Sequence, residues 1–300
     1  MNTVLITGAS GFVGQNLIKY LNSQDLILKS FPLREVPQPY NVQDVNSLIH
    51  LAGKAHDLNK VSSPEQYYEV NFELTKTLYD AFLRSNSKKF IFISSVKAAV
   101  DQVNSVLKEN DIPNPKTHYG KSKLMAEEYI QSQPLLQGKS YYILRPCMIH
   151  GPGNKGNLNL LYKLISKGIP YPLAAFENKR SFLSIENLCF IIKEIIERDD
   201  IPSGVYNIAD DVPLSTNEVI DFIAESRGKE ARIFSLNKSF VSSLARLGDL
   251  LKLPLNTERL QKLTESYIVS NDKIKKALGK PLPISSKEGL MNTLESFSKK

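Results

Sequence analysis

Tyr119 and Lys123 stand four residues apart in Tyr119–Gly120–Lys121–Ser122–Lys123, so on a helix they share one face. An ammonium beside a phenol favours the phenolate and brings the tyrosine pKa down toward neutrality. Such a tyrosine is a general acid/base for a substrate hydroxyl or ketone. Ser95, upstream in Ser94–Ser95, can hold the same oxygen by a hydrogen bond. A lone Tyr-x-x-x-Lys is an ordinary surface pattern. It gains weight here from what precedes it in the chain.

The first such element is Val4–Leu5–Ile6–Thr7–Gly8–Ala9–Ser10–Gly11–Phe12–Val13–Gly14, an apolar run that ends in a glycine turn and passes at once into helical spacing. A buried strand feeding a helix is expected, with Gly8, Gly11 and Gly14 at the joint. Glycines there serve a tight turn, close approach of backbone to a pyrophosphate, and close packing of helix on strand. The helix N-terminus offers unpaired N–H groups and positive dipole to phosphates. The expected ligand is therefore a dinucleotide.

Further strands are expected at Leu26–Phe31, from Leu48 to the small-residue exit Ala52–Gly53, at Phe90–Ile93 ending in Ser94–Ser95, at Tyr141–Leu144 closed by Arg145–Pro146, and at Gly204–Ile208. Helical patterns run from Pro64 to Ser85, with Asn71 inside, and from Tyr119 to Gln131. Ala52 and Gly53 let a cofactor ribose or phosphate come close to the backbone. Residues 35–46 are too short for a helix plus a full strand, and 101–118 read as a loop. This alternation predicts an α/β fold, a doubly wound parallel sheet of the Rossmann type. At the end of the second strand Arg34 takes the place of an acidic residue that would grip the ribose hydroxyls. An arginine there can meet a 2′-phosphate, stack on adenine or face water, so NAD and NADP both stay open.

After the glycine-rich loop at 150–157 the composition changes. Short helices are expected near 158–167 and 186–198, a capping box Ser215–Glu218 opens a helix to Ser226, and a second box lies at Ser285–Glu288. The expected division is a dinucleotide-binding domain over 1–150, rejoined by the strand at 204–208, and a mainly helical substrate lobe over 151–300.

Of 300 residues 42% are hydrophobic, ample for a packed core. The first strand follows Met1 closely, and no apolar run approaches the ~20 residues of a membrane span. A cytoplasmic protein without a membrane partner is expected. Two cysteines, Cys147 and Cys189, give no disulfide framework, and four histidines without ligand spacing give no metal site. The net charge of +7 is spread over dispersed lysines with a mild excess in the last thirty residues, so no nucleic-acid partner is expected. A dinucleotide-binding sensor that lost its chemistry is the rival from another class; the presence of Ser95, Tyr119 and Lys123 argues against it.

Taken in order, Thr7–Gly14, His50–Leu51–Ala52–Gly53, Asn71, Ser94–Ser95, Tyr119 with Lys123, and Leu144–Arg145–Pro146 through His150–Gly153 resemble the extended short-chain dehydrogenases/reductases of the NAD-dependent epimerase/dehydratase family, over residues 1 to about 298. The resemblance implies that Gly8, Ser10, Gly11, Phe12, Val13 and Gly14 receive the pyrophosphate. It places Arg34, Leu51, Ala52, Gly53 and Ser94 along the cofactor, Asn71 in a structural or cofactor-side role, and Pro146 and Met148 near the nicotinamide. It makes Tyr119 the base, Lys123 the group that lowers its pKa and binds the ribose, and Ser95 the hydroxyl beside them. Lys97, Asn157 and Arg180 fall on the substrate side, with Arg180 toward a diphosphate. The branch resembled includes UDP-glucose 4-epimerase-like proteins and 4-ketoreductases of UDP-N-acetyl-6-deoxyhexoses in surface-polysaccharide pathways. It implies a UDP-sugar substrate and a homodimer through helices near 65–85 and 119–131. Val96–Lys97 stands where a dehydratase wants Asp–Glu, which removes 4,6-dehydration from the expected activities.

Overall fold

The computed structural model describes residues 2–22, 25–33, 40–54, 63–154, 156–251 and 256–298. Six parallel strands form one sheet: β1 (Asn2–Thr7), β2 (Leu26–Phe31), β3 (Ser47–His50), β4 (Lys89–Ile93), β6 (Ser140–Pro146) and β9 (Gly204–Ile208), ordered β2-β1-β3-β4-β6-β9. The side chains alternate as a pleated strand requires. In β4, Phe90 and Phe92 enter one core while Ile91 and Ile93 enter the other. In β1, Leu5 faces opposite to Val4 and Ile6. Burial on both faces explains why these strands read as continuous apolar runs.

One face is covered by α1 (Phe12–Leu21) and α6 (Ile185–Glu197), through Leu17, Leu21, Leu188, Ile191, Ile192 and Ile195. The other is covered by α3 (Leu74–Arg84) and α4 (His118–Ser132), through Leu78, Phe82, Ala126 and Ile130, and α2 (Pro64–Tyr68) packs on α4. Two lysines fasten helix ends to the sheet. Lys89 Nζ donates to the carbonyls of Ile195, Ile196 and Arg198 at the end of α6. Lys139 Nζ does the same for Phe82, Ser85 and Ser87 after α3. A buried ammonium on last-turn carbonyls satisfies both partners and complements the helix dipole.

The expected single helix from Pro64 is interrupted. Glu69–Glu73 forms a π-helical turn between α2 and α3, and Asn71 sits in it. The expected loop at 101–118 also contains a strand: β5 (Val106–Leu107) pairs in parallel with β10 (Ile268–Val269). β7 (Met148–His150) pairs with β8 (Phe182–Ser184) and leads from the sheet to a helical lobe. There α5 (Asn157–Ser166), α7 (Thr216–Glu225) and α11 (Ser286–Ser298) pack around Phe182 and Leu214. Ser215 and Glu218 make the expected reciprocal cap at the start of α7. Beyond them α8 (Lys238–Leu251) and α9 (Thr257–Thr264) close on Tyr171, Leu173 and Ile220. α10 (Asp272–Leu278) lies against β9.

Candidate active site

The carboxyl ends of β1, β3, β4 and β6 gather the residues that the sequence singles out. β1 exits through Gly8 at φ +70°, a left-handed conformation that glycine adopts without strain. A Cβ at Gly8 would lie 2.7 Å from the Ala52 nitrogen, and one at Gly14 would lie 2.4 Å from the Gly8 oxygen. So the first glycine lets the exits of β1 and β3 touch, and the third lets α1 press against the turn. Gly11 is the N-cap of α1 and makes no side-chain cap, while Ser10 and Gly11 are exposed. The first-turn N–H groups are therefore left for a ligand. The Phe12 and Val13 side chains turn inward onto the core, so what these two residues offer a pyrophosphate is their first-turn backbone N–H groups. With the small exit Ala52–Gly53 opposite, the residues fit a dinucleotide.

Behind this turn lies a chain of buried hydrogen bonds. Thr7 Oγ1 meets His50 Nδ1 at 2.7 Å, and His50 Nε2 meets Thr75 Oγ1 at 2.8 Å. The Thr75 hydroxyl donates to the Asn71 carbonyl, so it must accept from His50. That assigns the proton to Nε2 and makes Nδ1 the acceptor of the Thr7 hydroxyl. Thr7 Oγ1 in turn accepts from the Ala52 N–H. Burial, with the Lys123 charge adding to it, pushes the His50 pKa down to about 3, so the ring is neutral.

Asn71, expected as structural or cofactor-side, is fully buried. Its Oδ1 accepts from the Lys54 N–H, and its Nδ2 donates to the Lys54 carbonyl and to Ser122 Oγ. It thus ties the exit of β3 to α4 by contacts within the chain. The π-helical turn supplies that reach.

Tyr119 opens α4 beside the end of β4, and its phenol hydrogen-bonds the Ser95 side chain. Ser95 also caps the 3₁₀ turn Val96–Ala98 by accepting from the Lys97 N–H. Lys123 is one turn along α4. Its Nζ donates to the Ile93 carbonyl at 2.9 Å and sits 4.7 Å over the Phe92 ring. The electrostatics differ from the sequence expectation. Burial raises the Tyr119 pKa, and the Ser95 bond only partly opposes it. Burial also pulls Lys123 down to about 8, against the attraction of Glu127. In the chain alone the ammonium is directed at a carbonyl and a ring, and Tyr119 keeps its proton.

Ser94 turns away from this cluster. Its hydroxyl donates to Glu127, whose carboxylate also receives the Arg145 Nε–H at 3.0 Å. Glu127 and Arg145 are both buried; Glu127 is absent from the sequence-based expectations, and Arg145 enters them only within the Leu144–Arg145–Pro146 motif. The available signal was spacing, since Glu127 follows Tyr119 and Lys123 at a further interval of four on the same face of α4. Pro146 and Met148 lie where β6 passes into β7. Cys147 between them is buried, and burial pushes its thiol up.

On the lobe side, Lys97 Nζ donates to the Asp101 carbonyl and lies over the Tyr267 ring. Asn157 is exposed at the first position of α5. Arg180 bridges by its backbone to Leu214 and Tyr267, and its Nε donates to the Glu265 carbonyl. Leu51, Ala52 and Gly53 line the exit of β3, where a Cβ on Gly53 would stand 3.1 Å from Lys123 Nζ. Arg34 lies outside the described residues.

The profile of the NAD dependent epimerase/dehydratase family matches residues 33–209. A UDP-glucose 4-epimerase of Vibrio cholerae is 30% identical, over 98% of this chain and 95% of its own length. An N-acetyl-alpha-D-glucosaminyl-diphospho-ditrans,octacis-undecaprenol 4-epimerase of Escherichia coli O157:H7 is 31% identical over 92% and 85%. Among solved structures, MoeE5 in complex with UDP-glucose and NAD superposes with a TM-score of 0.77 at 20% identity, covering 99% of each chain.

Proposed function

The chain belongs to the NAD dependent epimerase/dehydratase family, and on that premise we propose that it is an NAD(P)-dependent epimerase acting at C4 of a UDP-hexose or UDP-N-acetylhexosamine, through a 4-keto intermediate. It serves surface-polysaccharide precursor synthesis in the cytoplasm. The observation that carries this reading is the hydrogen-bonded Ser95–Tyr119 pair, one helical turn from buried Lys123 and beside the glycine turn.

When bound, the nicotinamide supplies the hydride acceptor and donor. The chain's own groups do the rest. Tyr119 Oη takes the proton of the C4 hydroxyl and returns it to the same oxygen after the 4-keto sugar has turned the opposite face of C4 toward the nicotinamide. Ser95 orients that oxygen by its hydroxyl. Lys123 stabilises the phenolate by its charge. Arg180 holds the diphosphate, its guanidinium oriented by the Glu265 carbonyl. Lys97 and Asn157 complete the substrate side. Two copies pair through α2–α3 and α4.

A second reading is favoured by the raised Tyr119 pKa: a phenol that keeps its proton is suited to donate it. That suits an NADPH-dependent 4-ketoreductase of a UDP-4-keto-6-deoxy-N-acetylhexosamine, in which Tyr119 protonates the incoming ketone.

One assay separates them. The purified protein is incubated with UDP-glucose, with UDP-N-acetylglucosamine and with a polyprenyl-diphosphate-linked N-acetylglucosamine, with and without NADH or NADPH, and products are identified by NMR. C4 epimer without added reductant supports the epimerase. Turnover of a 4-keto sugar alone, with NADPH, replaces it by the reductase. Tyr119→Phe lowers kcat about 10²- to 10⁴-fold in either case; an unchanged rate refutes both.

A further inference from the structure

α8 is apolar on two adjoining sides. Val241, Ala245 and Gly248 are buried against the lobe. Beside them Phe240, Leu244, Leu247 and Leu251 recur at intervals of four, three and four residues and are 40–57% exposed. These intervals define one helix face. Leu250, 79% exposed, lies beside this face on the same helix. Large contiguous apolar patches of this kind mark interaction surfaces.

The charge distribution says what covers it. Residues 1–226 carry 23 lysines and arginines against 24 aspartates and glutamates, whereas residues 227–300 carry 15 against 7. The whole excess of positive charge therefore lies in the part of the chain that holds α8, and is not dispersed along it. Lys238 and Arg246 are on α8 itself and both are exposed, and its one acid, Asp249, is engaged by Thr257. Just before α8, Arg227, Lys229 and Arg232, with Lys167 and one acid, Glu230, line a recess of about 370 Å³. A second copy of this surface would bring like charges together. An anionic surface with an apolar interior is complementary to both features.

We propose that α8 docks the helical lobe on an anionic lipid bilayer, lying in the interface plane. Phe240, Leu244, Leu247, Leu250 and Leu251 enter the boundary of the acyl chains, and the basic residues meet headgroup phosphates. Fourteen residues rise only ~21 Å, against ~30 Å of hydrocarbon, so the helix lies on the membrane rather than across it. No helix among the described residues is long and apolar enough to cross. The sequence-based expectation of no membrane partner considered spans alone. This proposal stands independently of the catalytic reading.

The chain contains no tryptophan, so Phe240→Trp gives a single fluorescent reporter on the docking face. With vesicles of phosphatidylethanolamine and about 30 mol% phosphatidylglycerol, its emission shifts to the blue and the protein sediments with the vesicles; with pure phosphatidylcholine the binding is weaker, and salt reduces it. The double variant Phe240→Ser/Leu247→Ser loses vesicle partitioning at least tenfold, while Lys238→Glu/Arg246→Glu loses it on anionic vesicles only. Circular dichroism and an unchanged urea midpoint report that both variants stay folded. No blue shift, or equal sedimentation of the serine variant and the parent, overturns the proposal. So does a serine variant that changes only the oligomeric state in sedimentation velocity, which would assign the face to a second copy.

Discussion

His50 carries no chemistry of its own, yet its protonation is linked to the stability of the whole site. Its folded pKa of about 3 lies below the ordinary value of 6.5, because burial penalises the charged ring. The unfolded chain therefore binds the proton first as pH falls. The stabilisation is complete above pH 6.5 and is lost progressively toward pH 3. Between pH 6.5 and 5, where few carboxylates titrate, urea unfolding should show a slope approaching ~1.4 kcal/mol per pH unit. His50→Asn flattens that slope; a variant that keeps it disproves the assignment. Residues were legible where chemistry depends on spacing along one element. Tyr119, Lys123 and the three glycines could be read that way. The direction of the Tyr119 pKa could not, because burial of the phenol and of Lys123 is a property of the packed site and outweighs the charge that spacing suggests.

Among the elements, α4 is held to the sheet by an ion pair rather than by apolar packing alone. Glu127 on α4 and Arg145 on β6 are buried together, and Ser94 at the end of β4 joins them. Removing one partner leaves the other charge uncompensated in the interior. Glu127→Gln should cost about 3–5 kcal/mol in urea unfolding, whereas a loss below ~1 kcal/mol would show the pair to be dispensable. The inner strands were legible because residues buried on both faces write apolar runs into the sequence, whereas the edge strand β2 has no buried residue. The π-helical turn at Glu69–Glu73 was not, since it adds a residue to one helical turn without changing composition. The pairing of β5 with β10 was invisible for another reason: two residues carry too short a pattern, and their partner lies far along the chain.

At the level of the whole molecule, the sheet and the lobe are interleaved in sequence. α6 covers the sheet beside α1, and β9 completes its edge, although both come after the strand β7 that leads to the lobe. One cooperative transition is expected when urea unfolding is followed by far-UV circular dichroism and by tyrosine fluorescence. Two separated transitions would show that the halves fold apart. The alternation of strands and helices made the sheet readable, whereas the lobe, built from short helices without a repeating unit, yielded little beyond its caps. The β5–β10 pair also bears on how the protein is made. The segment after Ser95 gains its strand partner only from Ile268–Val269, and the Tyr267 hydroxyl donates to the Val100 carbonyl close by. A ribosome reading this message has therefore delivered every strand of the main sheet before the segment beside Ser95 is secured. A product truncated before that point would carry a nearly finished scaffold and an untied segment after Ser95, which offers proteases a distinguishing mark between finished and aborted chains.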